Sequence, residues 1–192
     1  RVKNNLQIIS SLLSLQSRQI ADPKALEAIQ KGRNRVNSMA LIHKNLYQDE
    51  NLVGVDTLEY IDKLTESLIA SYNINLDHIT IEKDIDRMKL DVDTIIPLGV
   101  ILNELISNSL KYAFPSEQQG KIKTVLKKKP DGFHLEVADN GKGLPPDFDI
   151  ENLKSLGFRL VKAFAQKLNA ELKVRSGEGT RIELFVPNER FV

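Results

Sequence analysis

The 192-residue sequence contains no cysteine, and its three histidines, His43, His78 and His134, are widely separated. The absence of cysteine excludes disulfides, thiolate metal sites and a cysteine nucleophile, and it leaves the redox compartment undetermined. The histidines are too scattered to indicate a zinc site. The composition therefore gives no support to thiol or zinc chemistry.

Long apolar runs and an excess of either charge are also missing. No run reaches membrane-spanning length, and no segment of this sequence has the pattern of a signal peptide. The net charge is +1, so bulk electrostatics does not favour nucleic acid or an acidic membrane, and we expect no nucleic-acid partner. Because the sequence opens at Arg1 inside a helical pattern and without a methionine, we expect a fragment of a longer protein, and a membrane anchor could lie outside it.

The first twenty residues carry a heptad seam and a second apolar stripe. The seam consists of Val2, Leu6, Ile9, Leu13, Gln16 and Ile20, and the stripe of Ile8, Leu12 and Leu15. An isolated surface helix needs one apolar stripe. Two stripes therefore predict that a helix over 1–20 packs both against a hairpin partner and against a second chain.

A second heptad helix follows a short turn at Asp22 and Pro23, which suit the cap and the first position of a helix. Its seam consists of Ala25, Ile29, Gly32, Val36, Met39, His43 and Leu46. The short connection predicts an antiparallel hairpin, and two hairpins predict a homodimeric four-helix bundle formed by residues 1–50. His43 on this seam is either a phosphorylated or general-base histidine, or a hydrogen-bonded histidine of the bundle.

A polar linker at residues 48–54 separates this hairpin from a second predicted domain, residues 55–192. Asp56 and Glu59 predict a capped helix, and Asp91 or Asp93 caps the next, with Pro97 in or near its first turn. Strands are predicted near residues 79–81, 122–128, 133–137, 172–174 and 182–186, and a helix at 155–168. We therefore expect an α+β chain whose second domain is a two-layer α/β sandwich with a mixed sheet.

The helix at 102–112 has two chemically different faces. Its apolar stripe consists of Ile95, Leu98, Leu102, Leu105, Ile106 and Leu110. Glu104, Asn108, Lys111 and Tyr112 follow at i, i+4, i+7 and i+8, which places them on one line of an α-helix. An amide oxygen suits Mg²⁺ and an ammonium suits phosphate. The alternative is a solvated helix face.

Three later loops have residues suited to nucleotide binding. Asp139-Asn140-Gly141-Lys142-Gly143 follows a strand, where an aspartate can accept from the exocyclic amine of adenine and glycines permit close backbone approach. Ser155-Leu156-Gly157 opens a helix whose free N–H groups attract phosphate. Gly177-Glu178-Gly179-Thr180 precedes a strand. An ordinary turn, a plain N-cap and a hairpin turn are the respective alternatives.

In this order the four elements resemble the N, G1, G2 and G3 boxes of the nucleotide fold shared by histidine kinases, gyrase, Hsp90 and MutL. The resemblance covers roughly residues 55–187. Arg1-Val2-Lys3-Asn4-Asn5-Leu6-Gln7, Ala40-Leu41-Ile42-His43 and Ile96-Pro97-Leu98-Gly99 resemble sensor histidine kinases whose phosphoacceptor segment reads His-Arg-Val-Lys-Asn-Asn. The whole chain thus resembles the dimerisation and catalytic core of a sensor histidine kinase, which implies ATP and Mg²⁺ as cofactors.

The resemblance also implies roles for single residues. Asn108 matches the Mg²⁺ ligand, and Glu104, near the metal-bound phosphates, is a candidate base. Lys111 and Tyr112 match residues that contact phosphate or ribose. Asp139 matches the aspartate that reads adenine, with Gly141 and Gly143 beside it. Gly157 and Thr180 match positions near the nucleotide. The segment from about 144 to 154 matches the mobile ATP lid.

The implied reaction transfers the γ-phosphoryl of ATP to a histidine and then to an aspartate of a response regulator. In the family this histidine immediately precedes Arg1, so we expect it, and the sensor domain, upstream of this sequence. Asn4 would lie one helical turn beyond it, where its amide could orient a water for dephosphorylating the regulator.

Two alternatives remain open at this point. One is a serine protein kinase or ATPase of the same nucleotide fold, which would lack the heptad hairpin. The other is a non-catalytic dimeric scaffold that binds nucleotide, against which intact Glu104, Asn108 and Asp139 argue.

Overall fold

The computed structural model describes residues 2–46, 54–72, 77–115, 119–145, 148 and 155–187, without the side chains of 2–3 and 41–46. The side chain of His43 and most of the predicted linker and lid therefore lie outside the described residues. In chain order the elements are α1 (Val2–Ser17), α2 (Pro23–Leu46), β1 (Val55–Asp56), α3 (Thr57–Tyr72), β2 (Ile79–Ile85), β3 (Lys89–Leu90), α4 (Val92–Asn108), a π-helical turn (Ser109–Ala113), β4 (Gly120–Lys129), β5 (Gly132–Asp139), α5 (Leu156–Lys167), β6 (Glu171–Gly177) and β7 (Gly179–Pro187).

The hairpin of α1 and α2 forms as the heptads predict. Asp22 caps α2, since its Oδ1 accepts from the N–H groups of Lys24 and Ala25 at 2.7 and 3.1 Å. The prediction that α1 reaches residue 20 was wrong, because it ends at Ser17 in short-range turn hydrogen bonds such as Arg18 N–H to the Leu15 carbonyl. The second stripe of α1 faces outward, with Ile8, Leu12 and Leu15 each more than half exposed.

The five-stranded sheet has the order β2-β4-β5-β7-β6. β2 pairs parallel with β4, and all other neighbours pair antiparallel, so the predicted mixed sheet is confirmed. β4 and β5 form a hairpin around residues 130–131, and β6 and β7 form another around residue 178. Buried residues alternate with partly or fully exposed ones along β4, which is the pattern of a sheet covered on one face.

Helices α3, α4 and α5 supply the other layer, which confirms the two-layer α/β sandwich. Their apolar side chains form one core with the sheet, whose fully buried members include Ile61, Leu64, Ile101, Leu102, Leu135 and Leu184. Asp56 caps α3 by accepting from the Glu59 N–H at 3.1 Å, as predicted. The antiparallel ribbon of β1 and β3 was not predicted, because each strand has only two residues and no alternation to detect.

Helix α4 is capped by Asp91, whose Oδ1 accepts from the Thr94 N–H at 2.7 Å. Pro97 is therefore the sixth residue of the helix, beyond the first turn, and the prediction that placed it in or near that turn was inaccurate. Nearly every side chain of α4 is buried, including Asn103 and Glu104. Of the four residues on the predicted polar face, Glu104 is buried, Asn108 and Lys111 are half-buried and Tyr112 is exposed, so this face is only partly solvated.

Helix α2 packs along α4 and contributes to the burial of its polar residues. The two helices run antiparallel, since Ser38 meets Asn103, Arg35 meets Glu104, and Lys31 meets Tyr112. Asn103 Nδ2 donates to Ser38 Oγ at 2.6 Å, with both residues buried. The interface between α2 and α4 is thus polar, and its contacts fix the register of the two helices. No helix in the described residues is long and apolar enough to cross a membrane.

Candidate functional site

A cavity of about 750 Å³ lies between α2 and the α/β sandwich. Its walls are formed by α2, the end of α4 with the π-helical turn, the loop after β5, the start of α5 and the start of β7. Its volume falls in the range of small-molecule sites. The four predicted nucleotide-binding elements are therefore brought to one place, although they span some 80 residues of sequence.

Asp139 holds three of these elements together. Its Oδ2 accepts from Ser109 Oγ at 2.7 Å, and its Oδ1 accepts from the backbone N–H groups of Gly141 and Thr180, each at 3.1 Å. The pairing of β5 with β7 explains the last contact, because Asp139 and Thr180 are register partners. The carboxylate is therefore fixed in orientation at the cavity wall and acts as an acceptor.

Gly141 joins the same loop to the end of the π-helical turn. A Cβ at this position would lie 2.3 Å from the Ala113 carbonyl oxygen, which real contacts essentially never allow. The Lys142 N–H donates to that same oxygen at 2.9 Å. The loop can therefore sit against the turn only with glycine at position 141, whereas Gly143 lines the cavity itself.

Glu104 is held by a cation from the hairpin. Arg35 Nε donates to its Oε1 at 2.5 Å and the second guanidinium nitrogen donates to its Oε2 at 2.9 Å. Only 4% of the Glu104 side chain and 15% of the Arg35 side chain are exposed. The hydrogen bonds to Glu104 raise the pKa of Arg35, which therefore remains charged. Both carboxylate oxygens are thus committed to one guanidinium.

Gly157 lies against this carboxylate. A Cβ on Gly157 would come within 2.7 Å of Glu104 Oε2 and 3.9 Å of Asn108 Nδ2. Since Arg35 fixes Glu104, the carboxylate has little freedom to move aside. Glycine at the start of α5 therefore lets that helix approach α4. Ser155 caps α5 by accepting from the Phe158 N–H at 3.4 Å.

Asn108 is half-buried and lines the cavity, and no described residue hydrogen-bonds to its side-chain amide. Its amide oxygen is a hard ligand of the kind that Mg²⁺ accepts. Among the described residues, no group of three His, Cys, Asp or Glu side chains could hold a metal. A metal here would therefore need Asn108 together with oxygens from a ligand and from water, which is the usual arrangement for Mg²⁺.

Lys111 does not line the cavity with the other predicted residues. Its Nζ lies 3.2 Å from Glu27 Oε1 and 4.4 Å from the centre of the Tyr72 ring. The prediction placed Lys111 in line with Glu104 and Asn108 by assuming 3.6 residues per turn. Because Lys111 lies in a π-helical turn, which is wider, that spacing does not hold for it. Burial lowers the pKa of Lys111.

Tyr112 does line the cavity, and its hydroxyl donates to Glu27 Oε1 at 2.5 Å. Lys31 Nζ in turn donates to the Tyr112 hydroxyl at 2.8 Å. The hydrogen bond from Tyr112, with those from Lys111 and Lys31, lowers the pKa of Glu27 to about 2. This carboxylate is therefore ionised throughout the physiological pH range.

Most of the predicted residues thus meet in the cavity, whose walls include Glu104, Asn108, Tyr112, Asp139, Gly143, Gly157 and Thr180. Asn4 is exposed on α1 and does not line it. Sequence reasoning missed Glu27, Lys31 and Arg35. Their regular spacing of four residues puts these charges on one face of α2, a pattern that equally fits a solvated surface.

Two family models match the chain in sequence order. One, described as "Histidine kinase", matches residues 1–72. The other, described as "Histidine kinase-, DNA gyrase B-, and HSP90-like ATPase", matches residues 93–190, slightly more than half of the chain. The first includes both helices of the hairpin and the second includes Asn108 and Asp139.

Individual relatives agree with these matches. Sensor histidine kinase PdtaS of Mycobacterium tuberculosis is 31% identical over 194 residues, covering 97% of this chain and 38% of the relative. The chain thus spans less than half the length of that relative. The histidine kinase domain of the Erythrobacter litoralis EL346 blue-light activated histidine kinase has a similar fold, with a TM-score of 0.76, 22% identity, and 97% of this chain and 88% of that chain covered.

A serine kinase matches a smaller part of the chain. Serine-protein kinase RsbW of Listeria innocua is 30% identical over 94 residues, which cover 48% of this chain and 57% of the relative. The histidine kinase model covers the hairpin, which we expected a serine kinase of the same nucleotide fold to lack. Because a histidine kinase model covers the hairpin and the ATPase model covers the cavity-forming half, the chain belongs to the sensor histidine kinase family.

Proposed function

We propose that this chain is the dimerisation and catalytic core of a sensor histidine kinase. It would transfer the γ-phosphoryl of ATP to a histidine immediately upstream of Arg1, and then to an aspartate of a response regulator. The observation that carries this proposal is that Asn108 and Asp139 line one cavity, bridged by the hydrogen bond from Ser109 to Asp139. Because it would use ATP and a response regulator, we place this core in the cytoplasm.

The donor set fits a magnesium nucleotide. We assign the Asp139 carboxylate to the exocyclic amine of adenine, with Gly141, Gly143 and Thr180 shaping that end. The N-terminus of α5 at Gly157 would face the phosphates, where free N–H groups and the helix dipole favour negative charge. Asn108 would hold Mg²⁺, which when bound offsets negative charge on the phosphates.

Catalysis of phosphoryl transfer depends mainly on positioning and electrostatic stabilisation, so these residues would act mainly by holding the nucleotide and its phosphates in place. Glu104 was expected as a candidate base. Since Arg35 occupies both of its oxygens, we assign Glu104 to ordering the end of the cavity near Asn108 and Gly157. Lys111 would act through Glu27, whose carboxylate it contacts, and Tyr112 would contact phosphate or ribose from the cavity wall.

The test is incubation of a version extended upstream to include the expected histidine with γ-labelled ATP. We expect acid-labile, base-stable label that disappears when that histidine is replaced and when Asn108→Ala is introduced. Acid-stable label would favour the serine kinase alternative. Binding of ATP without any transfer would favour a non-catalytic scaffold.

We further propose that residues 1–50 form the homodimerisation hairpin and residues 55–192 the ATP-binding domain. The exposed side chains of Ile8, Leu12 and Leu15 support this, because burying each would contribute roughly 1.5–3 kcal/mol. Leu12→Glu is expected to shift the chain from dimer to monomer by at least tenfold in dissociation constant, measured by analytical ultracentrifugation. Leu156→Glu, at an equally exposed leucine outside the hairpin, is the control. An unchanged dimer in Leu12→Glu would contradict the proposal.

Asn4 remains a proposed phosphatase residue. It is exposed on the first turn of α1, and we propose that a docked regulator contacts it there. We expect Asn4→Ala to slow dephosphorylation of the phosphorylated regulator by at least tenfold without changing ATP binding. Unchanged dephosphorylation would show that Asn4 has no such role.

A further inference from the structure

An ionised carboxylate lines the cavity that we assign to a polyanionic nucleotide. Glu27 of α2 is one of the lining residues, and its pKa is lowered to about 2, most strongly by the hydrogen bond from Tyr112. A fixed negative charge in this position repels the phosphates of a bound nucleotide. Glu27 therefore opposes the binding that the rest of the cavity favours.

Three donors converge on one oxygen of this carboxylate. Glu27 Oε1 accepts from the Tyr112 hydroxyl at 2.5 Å. The same oxygen lies 3.2 Å from Lys111 Nζ and 3.3 Å from Lys31 Nζ. Two ammonium groups and a phenol hydroxyl around one carboxylate oxygen are the donor set of a site for an anionic oxygen. In this structure Glu27 occupies that site.

The three donors belong to two different parts of the fold. Lys111 and Tyr112 lie in the π-helical turn directly after Asn108, whereas Lys31 lies one helical turn beyond Glu27 on α2. Lys31 and Tyr112 line the cavity, and Lys111 contacts a lining residue in Glu27. A phosphate oxygen that replaced the Glu27 carboxylate could therefore meet the same three donors.

We propose that Glu27 is an internal competitor of the nucleotide phosphates, held by the groups that would otherwise bind a phosphate oxygen. Lys111 and Tyr112 keep their expected contacts to phosphate or ribose, and they become available when Glu27 is displaced. Because Glu27 lies on α2, the hairpin itself supplies the competing anion. The inference rests on the proposed nucleotide-binding function and specifies what limits the affinity of that site for phosphate.

Two substitutions of Glu27 should tighten ATP binding. Glu27→Gln removes the anion and is expected to raise the affinity about fivefold, a modest gain because the Glu27 side chain is 40% exposed. Glu27→Asp keeps the charge but withdraws the carboxylate from its donors by one methylene group, and is expected to raise the affinity about threefold. Neither should change the affinity for adenosine, which carries no phosphate.

The experiment titrates the full chain with ATP, ADP and adenosine by calorimetry in the presence of Mg²⁺. Glu27→Gln is also made in a chain that carries Lys31→Gln and Lys111→Gln, where its effect on ATP affinity should fall below about twofold because the cations it would release are gone. Glu59→Gln is the matched control, since Glu59 forms a similar i,i+4 ion pair on α3 outside the cavity lining. It should alter none of the three affinities.

An unchanged or lowered ratio of ATP affinity to adenosine affinity in Glu27→Gln would overturn the inference. So would a Glu27→Asp chain with the ATP affinity of the unaltered chain, because the charge would then act at a distance and not by occupying the donors. An undiminished effect of Glu27→Gln in the chain without both lysines would overturn it for the same reason. Failure of the unaltered chain to bind ATP at all would instead reject the proposed function.

Discussion

Replacing Asp139 with asparagine is expected to weaken ATP binding by at least about 100-fold, equivalent to about 3 kcal/mol. Asp139 accepts three hydrogen bonds, from Ser109 and from the backbone of Gly141 and Thr180. Asparagine offers only one acceptor oxygen, which can keep the two backbone N–H groups, while its NH₂ group would face Ser109, whose hydroxyl would have to rotate and accept. In addition, we assign the carboxylate to an amine of the base, which an amide nitrogen would repel.

The measurement is calorimetric titration with ATP and with adenosine, and both affinities should fall because the contact concerns the base. Asp131→Asn is the matched control, since Asp131 is an exposed aspartate between β4 and β5 that does not line the cavity. If Asp139→Asn kept its ATP affinity while its melting temperature was unchanged, Asp139 would not be the residue that reads the base.

The second large effect is expected for Arg35→Gln, which should destabilise the protein by about 3 kcal/mol. Glu104 is 4% exposed, so removal of the guanidinium leaves a buried carboxylate without a cation. The expected loss of unfolding free energy is at the low end of the range for breaking a buried ion pair, because the Arg35 side chain retains some exposure to solvent. Urea denaturation followed by circular dichroism measures the change.

A double-mutant cycle with Glu104→Gln separates the interaction energy between Arg35 and Glu104 from the energies of their other contacts. The doubly substituted chain should be more stable than Arg35→Gln alone, because no buried charge remains. Arg181→Gln serves as the comparison, since Arg181 pairs with Glu136 at 3.3 Å but is 52% exposed, and its loss should cost less than about 1 kcal/mol. Similar losses for Arg35→Gln and Arg181→Gln would mean that the pair with Glu104 contributes no more than a surface contact.

The sequence predicted those parts of the fold that depend on neighbouring residues. The heptads of α1 and α2, the alternation in β4 and β5, and the caps at Asp56 and Asp91 are all local signals. The position of Asp139 at a strand end followed from the same patterns, as did the order of the four boxes. The family resemblance supplied their roles, which local patterns do not contain.

The contacts between α2 and α4 could not be predicted in this way. Arg35 and Glu104 are 69 residues apart, and nothing near either of them in sequence indicates the other. The π-helical turn was missed because its residues fit an ordinary helix, so no local pattern distinguishes the wider turn. The first miss concerns the surroundings of Glu104 and the second the position of Lys111, two residues of the same predicted polar face.

The antiparallel register of α2 on α4 has a mechanical consequence. Hydrogen bonds and bidentate ion pairs tolerate little displacement. If α2 slid along its axis by one residue, about 1.5 Å, Ser38, Arg35 and Lys31 would all lose their partners together. A displacement of α2 along its axis would therefore break the contacts to Glu104 and Tyr112 together.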